Sequence, residues 1–155
     1  MDDLVRLTIV DIETSGFDST PVLLLKEVGG HRCLAIWVSH KDAMYLTQVV
    51  QGIAQRRPQS QDLMIDVVML RDAEERFGVI TAFDDGIYES ELHLGDHVLD
   101  ARPSDLAALS ARTGMALWCT KELMDTVGIE IDLDPHDEIE DFKDFLDHIT
   151  PEDFD

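Results

Sequence analysis

An α+β domain, with helices packed on a mixed, largely antiparallel sheet of hairpins, is the fold class this chain predicts. Three observations carry that expectation. Two β-rich runs flank Gly29-Gly30, and a tight primed turn needs positive φ at its centre. Three further runs are separated by Asp84-Asp85-Gly86 and by Gly95-Asp96, both with turn chemistry. Helical segments come in a pair and then singly, so the repeated βαβ units of a doubly wound sheet are missing.

Taken in order, residues 4–13 alternate loosely and are rich in β-branched side chains, which predicts a strand. Residues 22–28 and 31–38 form the Gly-Gly hairpin. From Asp42 the period changes: Ala43, Leu46, Val50 and Ile53 fall at helical spacing, closed by Gly52 and Pro58. Ser60 is placed to cap a second helix running from about residue 61 to residue 75. Its centre, residues 63–70, is apolar almost all round, as in a deeply buried helix. Strands at 77–83, 87–94 and 97–101 follow as a meander. Pro103 then opens a helix over 104–112 that ends at Gly114. A short strand covers 115–119, and a brief helix at 121–127 stops at Gly128. The remainder divides the chain into a domain at 1–134 and an acidic amphipathic helix and tail at 135–155. In that tail Ile139, Phe142, Leu146 and Ile149 share one stripe.

Charge narrows the function classes. The 155 residues hold 33 acids against 12 lysines and arginines, a net charge of −21. Residues 126–155 hold 12 of those acids and one base, Lys143, so half of the excess lies in the last fifth. A surface of this sign repels polyanions at long range, whereas nonspecific nucleic-acid binders carry a basic footprint. Nucleic acid as a partner is therefore opposed by the net charge, and any contact with it must be local or metal-assisted. No apolar run is long enough for a membrane helix, and Asp2-Asp3 stand where a signal peptide has basic residues, so no membrane partner is expected. Cys33 and Cys119 lie in apolar, strand-like runs and read as buried free thiols, which suits a cytoplasmic location.

The chain lacks a Gly-rich phosphate loop, a Cys-x-x-Cys pair and a His-Glu-x-x-His motif, which removes P-loop NTPases, zinc ribbons and zincins. The densest polar cluster is Asp100-Ala-Arg102-Pro-Ser104-Asp105, at a strand-to-helix junction. A helix amino end favours anions, so Arg102 and Ser104 there can hold a phosphate. The alternative is that Ser104 and Asp105 cap the helix while Arg102 pairs with a nearby acid. Asp62 and Asp66 lie four apart on the second helix, on one face, where two carboxylates can share Mg²⁺ or Mn²⁺. The competing reading is a polar stripe, with Asp62 favoured by its place in the first turn. Glu89 and Glu91 share one side of a strand, and His93 and His97 straddle a turn across which they can approach.

The order of these pieces resembles the bifunctional nuclease domain family of bacteria and plants, long catalogued as a domain of unknown function. The resemblance rests on Pro21-Val-Leu-Leu-Leu-Lys-Glu27, Leu34-Ala-Ile-Trp-Val38, Asp42-Ala43, Gln51-Gly52, Arg57-Pro58, Ser60-Gln61-Asp62-Leu63 and Ile87-Tyr88. It continues through Ala101-Arg102-Pro103-Ser104-Asp105, Ala108-Leu109 and Arg112-Thr113-Gly114 to Phe142-Lys-Asp-Phe-Leu-Asp147. It implies a compact domain that self-associates, a homodimer being the favoured form, with DNase and RNase activity as in some members. Asp42 (where Glu is usual), Asp62, Arg102, Ser104 and Asp105 match the family's polar positions. The corresponding expectation is Asp62, Arg102 and Asp105 in catalysis, Arg102 and Ser104 on substrate, and Asp42, Asp62 and Asp105 on Mg or Mn, all converging on one pocket. Alternatives in other classes are a non-catalytic interaction domain and a small phosphate-binding module. The family's usual Thr-His-Asp-Leu is Ser60-Gln61-Asp62-Leu63 here, and a glutamine cannot move a proton near neutral pH.

Overall fold

The structure, a computed structural model, describes residues 3–14, 20–53 and 56–131. Strands β1 (Leu4–Thr14), β2 (Pro21–Glu27) and β3 (Arg32–Trp37) are followed by helices α1 (His40–Val50) and α2 (Ser60–Val68). The meander β4 (Arg76–Asp84), β5 (Ile87–Leu94) and β6 (His97–Ala101) comes next. Helix α3 (Pro103–Thr113), strand β7 (Ala116–Thr120), helix α4 (Lys121–Val127) and the short β8 (Ile129–Glu130) complete the described part. These form one eight-stranded sheet in the order β6-β5-β4-β7-β1-β2-β3-β8, an α+β arrangement. Every neighbouring pair is antiparallel except β4 and β7, which run parallel because α3 makes the crossover between them.

The sheet is curled, and the cause is local. Register shifts between Ile9 and Asp11 in β1 and between Ile80 and Ala82 in β4 mark bulges, which bend a strand and increase its twist. The lower part of β1 pairs with β7, from Leu4 to Arg6, while the rest pairs with β2. The curl brings β5 round to β3, and the Tyr88 hydroxyl donates to the Ala35 carbonyl at 3.2 Å. The apolar run of β2 is buried on both faces. Leu23 and Leu25 enter the main core with α1, α3 and α4, whereas Val22 and Leu24 join Cys33, Ala35 and Ile131 in a second cluster. Both cysteines are buried, and neither forms a disulfide. The β4–β5 turn takes positive φ at Asp85 (51°) and Gly86 (78°), the primed geometry expected of Asp-Gly. Gly114 closes α3 in the left-handed conformation, at φ 76°.

The second helix differs from expectation. It stops at Val68, its N-cap is Gln59 rather than Ser60, and residues 73–75 form only a 3-10 turn. Nor is it deeply buried. Ile65 and Val68 face the core, but Leu63, Val67 and Leu70 are exposed, Leu70 by 84%. One face of α2 meets the domain, so an almost wholly apolar segment leaves a stripe uncovered. The predicted amphipathic helix at 135–148 lies outside the described residues. Among the described residues no helix is long and apolar enough to cross a membrane.

Candidate functional site

Arg102 is the N-cap of α3 by its backbone, extended at φ −82° and ψ 148°, with Pro103 at the first helical position. Its carbonyl accepts from the N–H groups of Asp105 (3.0 Å) and Leu106 (3.2 Å). One turn into the same helix, Asp105 turns its carboxylate back onto the Arg102 guanidinium, with Nε–Oδ2 at 3.1 Å and Nη2–Oδ1 at 3.0 Å. The second fork comes from Asp42. Ser39 caps α1 by accepting from the Asp42 N–H at 3.1 Å. That cap sets Asp42 in the first turn, where its carboxylate meets Nη1 at 2.8 Å and Nη2 at 3.3 Å. Two forks use four of the five guanidinium N–H groups and leave one on Nη1. The hydrogen bonds that Arg102 donates to Asp105, with help from Asp42, hold its pKa above the ordinary value. Its side chain nevertheless remains 60% exposed.

Arg102 stands between two concavities. One, of about 310 Å³, has an apolar wall of Trp37, Val38, Phe83, Ile87 and Tyr88, with Ser39, Asp42 and Arg102 at its rim and the buried Ser104 beneath. The other, of about 640 Å³, is lined by Glu89, Glu91, Asp100 and Asp105 and shares Ile87, Tyr88 and Arg102 with the first. Within it the Glu91 carboxylate pairs with His93 at 3.0 Å, and His93 stacks on Phe77 with ring centroids 4.4 Å apart. His93 and His97 do not meet. The register sets His93 opposite Val98 and His97 opposite Leu94, which sends the two rings to opposite faces.

Asp62 belongs elsewhere. It is buried, and its Oδ2 accepts from the Gln59 N–H at 2.8 Å, forming the capping box of α2. Its Oδ1 accepts from the Tyr45 hydroxyl at 2.6 Å and also from Arg112 at the far end of α3. The Tyr45 hydrogen bond, reinforced by Gln59 and Arg112, holds the Asp62 carboxyl below the usual range. Burial and the same carboxylate push Tyr45 up to about 12. This triad borders a third concavity, of about 380 Å³, which shares no residue with the one beside Arg102. Ten helical residues separate Arg112 from Arg102, roughly 15 Å of rise. The common pocket expected for Asp62 and Arg102 is therefore not formed.

The structure thus brings Asp42, Arg102 and Asp105 together, sets Ser104 below them, and leaves Asp62 in a separate lock between α1, α2 and α3. Asp66 is exposed and does not follow Asp62 inward. Among the described residues no three His, Cys, Asp or Glu side chains group so as to hold a metal ion. Between Asp42 and Asp105 the cation position is filled by a guanidinium, so this donor set, as arranged, does not fit Mg²⁺ or Mn²⁺. Sequence reasoning missed Tyr45 and Arg112 as partners of Asp62, and it missed the aromatic wall. Those residues come from separate elements, and no local spacing links them.

A curled mixed sheet, with an arginine held in two carboxylate forks where its ends approach, defines an α+β domain with a polar site at the sheet seam. Residues 23–132 match the family model described as "Bifunctional nuclease domain", and the chain belongs to that family. It is also 29% identical, over 96% of its length and 97% of theirs, to two Mycobacterium tuberculosis proteins. These are uncharacterized protein MT1877 of strain CDC 1551 / Oshkosh and uncharacterized protein Rv1829 of strain ATCC 25618 / H37Rv.

Proposed function

We propose that this chain hydrolyses phosphodiester bonds in nucleic acid, with Arg102 as the group that meets the phosphate. The observation that carries the reading is the exposed guanidinium fixed by Asp42 and Asp105 at the mouth of a concavity. Family membership supports it. A phosphate arriving at Arg102 finds one N–H open and competes with a carboxylate for the next. The displaced Asp42 or Asp105 then stands beside that phosphate as a base. Water attacks phosphorus and gives its proton to the freed carboxylate, the bond to the leaving oxygen breaks, and that oxygen takes a proton from solvent. Arg102 stabilises the charge that builds on the phosphoryl oxygens.

The test is cleavage of single-stranded and duplex substrates by the wild type beside Gln61→His, each with and without Mg²⁺ or Mn²⁺. Cleavage by the wild type is expected, and the histidine should change the rate by less than about threefold. Gln61 adjoins Asp62 on α2 and lines neither concavity at Arg102. A gain of tenfold or more would move the chemistry to the Asp62 site and remove Arg102 from its role. Silence in all samples would end the hydrolase reading.

A second reading, self-association without catalysis, is favoured by the bare apolar stripe of Leu63, Val67 and Leu70. It predicts a dimer in sedimentation velocity that Leu70→Asp converts to monomer. A monomeric wild type at tens of micromolar would dismiss it.

A further inference from the structure

We propose that the concavity walled by Trp37, Phe83, Ile87 and Tyr88 is a subsite for one unpaired nucleobase, so that the substrate class is single-stranded nucleic acid. This rests on the hydrolase reading above and adds what is recognised beside the phosphate. Three features converge on it.

The first is the wall. Residues of β3, β4 and β5 line it, the Phe83 and Tyr88 side chains among them, at the place where the curled sheet brings β5 round to β3. The Tyr88 ring is held by its hydroxyl bond to Ala35 and packs on Phe83, with centroids 4.6 Å apart. Ile87 at the lip is 66% exposed, a large apolar side chain at the opening of a pocket. A fixed aromatic and aliphatic surface accepts the flat face of any base, without regard to its identity.

The second is size. At about 310 Å³ the space lies at the low end for small-molecule sites, roughly 300–1,000 Å³. A base inside a duplex is paired and stacked, and it must leave the stack to enter such a pocket. Single strands, loops and ends present bases that are already free.

The third is charge. Arg102 stands at the rim, but across it lie Glu89, Glu91, Asp100 and Asp105, in a chain of net charge −21. A continuous phosphate track is therefore not available on that side. Recognition must come from the base, with about one phosphate on Arg102. Each phosphate neutralised on a single strand contributes a slope of about −0.7 to log K against log salt, so a slope near that value is expected in total.

The experiment uses the full chain carrying Trp118→Phe, which leaves Trp37 as the single indole, since the protein has two tryptophans. Trp118 lies on β7 outside the pocket. Fluorescence is titrated with adenosine 5′-monophosphate, ribose 5-phosphate and inorganic phosphate. Calorimetry on the wild type repeats the measurement without the substitution. The nucleotide should quench Trp37 and bind at least about tenfold tighter than ribose 5-phosphate, as stacking of one base permits. Ile87→Asp, at an exposed position, should erase that preference. Equal binding of the two sugar phosphates, no binding of the nucleotide, or a preference that survives Ile87→Asp would each overturn the proposal. Base-dependent binding without strand cleavage would sink the hydrolase reading and leave the subsite standing. Cleavage of duplex and single strand at equal rates, with no base preference, would do the reverse.

Discussion

Arg102→Ala is expected to lower the hydrolysis rate by about 10²–10³-fold, the range for removing one preorganised donor at developing charge. The same substitution should change unfolding free energy by less than about 1 kcal/mol, because exposed ion pairs contribute little. The side chain is 60% exposed, and its removal opens the partly covered Asp42 and Asp105 carboxylates to water. That contrast separates a functional arginine from a strut between α1 and α3. Arg102→Lys sharpens it: the charge remains but the planar fork is lost, so the rate should recover only in part. Steady-state kinetics together with urea melts decide the matter. A large loss of stability with unchanged kcat/KM in folded protein would reduce Arg102 to a structural clamp.

The largest stability effect is expected at Asp62, not at Arg102. Asp62→Ala strands the buried Tyr45 hydroxyl and the Gln59 N–H and strips Arg112 of its partner. The expected cost is about 2–4 kcal/mol, less than the full penalty for breaking a buried pair because Arg112 is partly exposed and rehydrates. For a domain whose whole stability is about 5–15 kcal/mol, that is a severe change. The loss should depend on pH in one direction. The folded-state pKa of Asp62 lies below the ordinary carboxylate value of 3.8. Its stabilisation is therefore present in full above that value and is lost as pH falls through the depressed folded one. Wild type and Asp62→Asn should keep a constant difference in stability from neutral pH down toward 3.8 and converge below it. A gap that stays constant down to pH 2 would contradict this account.

Much of the fold was legible because local chemistry and tertiary structure agree. Asp85-Gly86 takes the primed turn its residues favour, and α4 runs from Lys121 to Val127 as its flanking signals require. At Gly29-Gly30 the hairpin forms, but only Gly29 has positive φ and the turn centres on Val28-Gly29. The second helix was less so. An apolar run from 63 to 70 looks alike whether it is buried all round or on one side, because pattern records side-chain type and not what packs against it. The two-residue β8 is too short to carry a period. Within the candidate site the Arg102–Asp105 pair follows from i,i+3 spacing on α3, but Asp42 lies sixty residues away. The role of Asp62 was hidden for the same reason. A carboxylate in a first turn suits a metal and a capping box equally, and only Tyr45 and Arg112, 17 and 50 residues distant, distinguish them.

Strand β1 lies near the middle of the sheet, and part of it pairs with a strand more than a hundred residues further along the chain. Leu4 is matched to Thr120, so that join cannot form until nearly the whole described chain has left the ribosome. Until then the edge that β1 will offer to β7 is unclosed, which makes the nascent chain most open to mispairing late in translation. A chain lacking residues 4–6 would carry that vulnerability permanently, with β7 bared along one side.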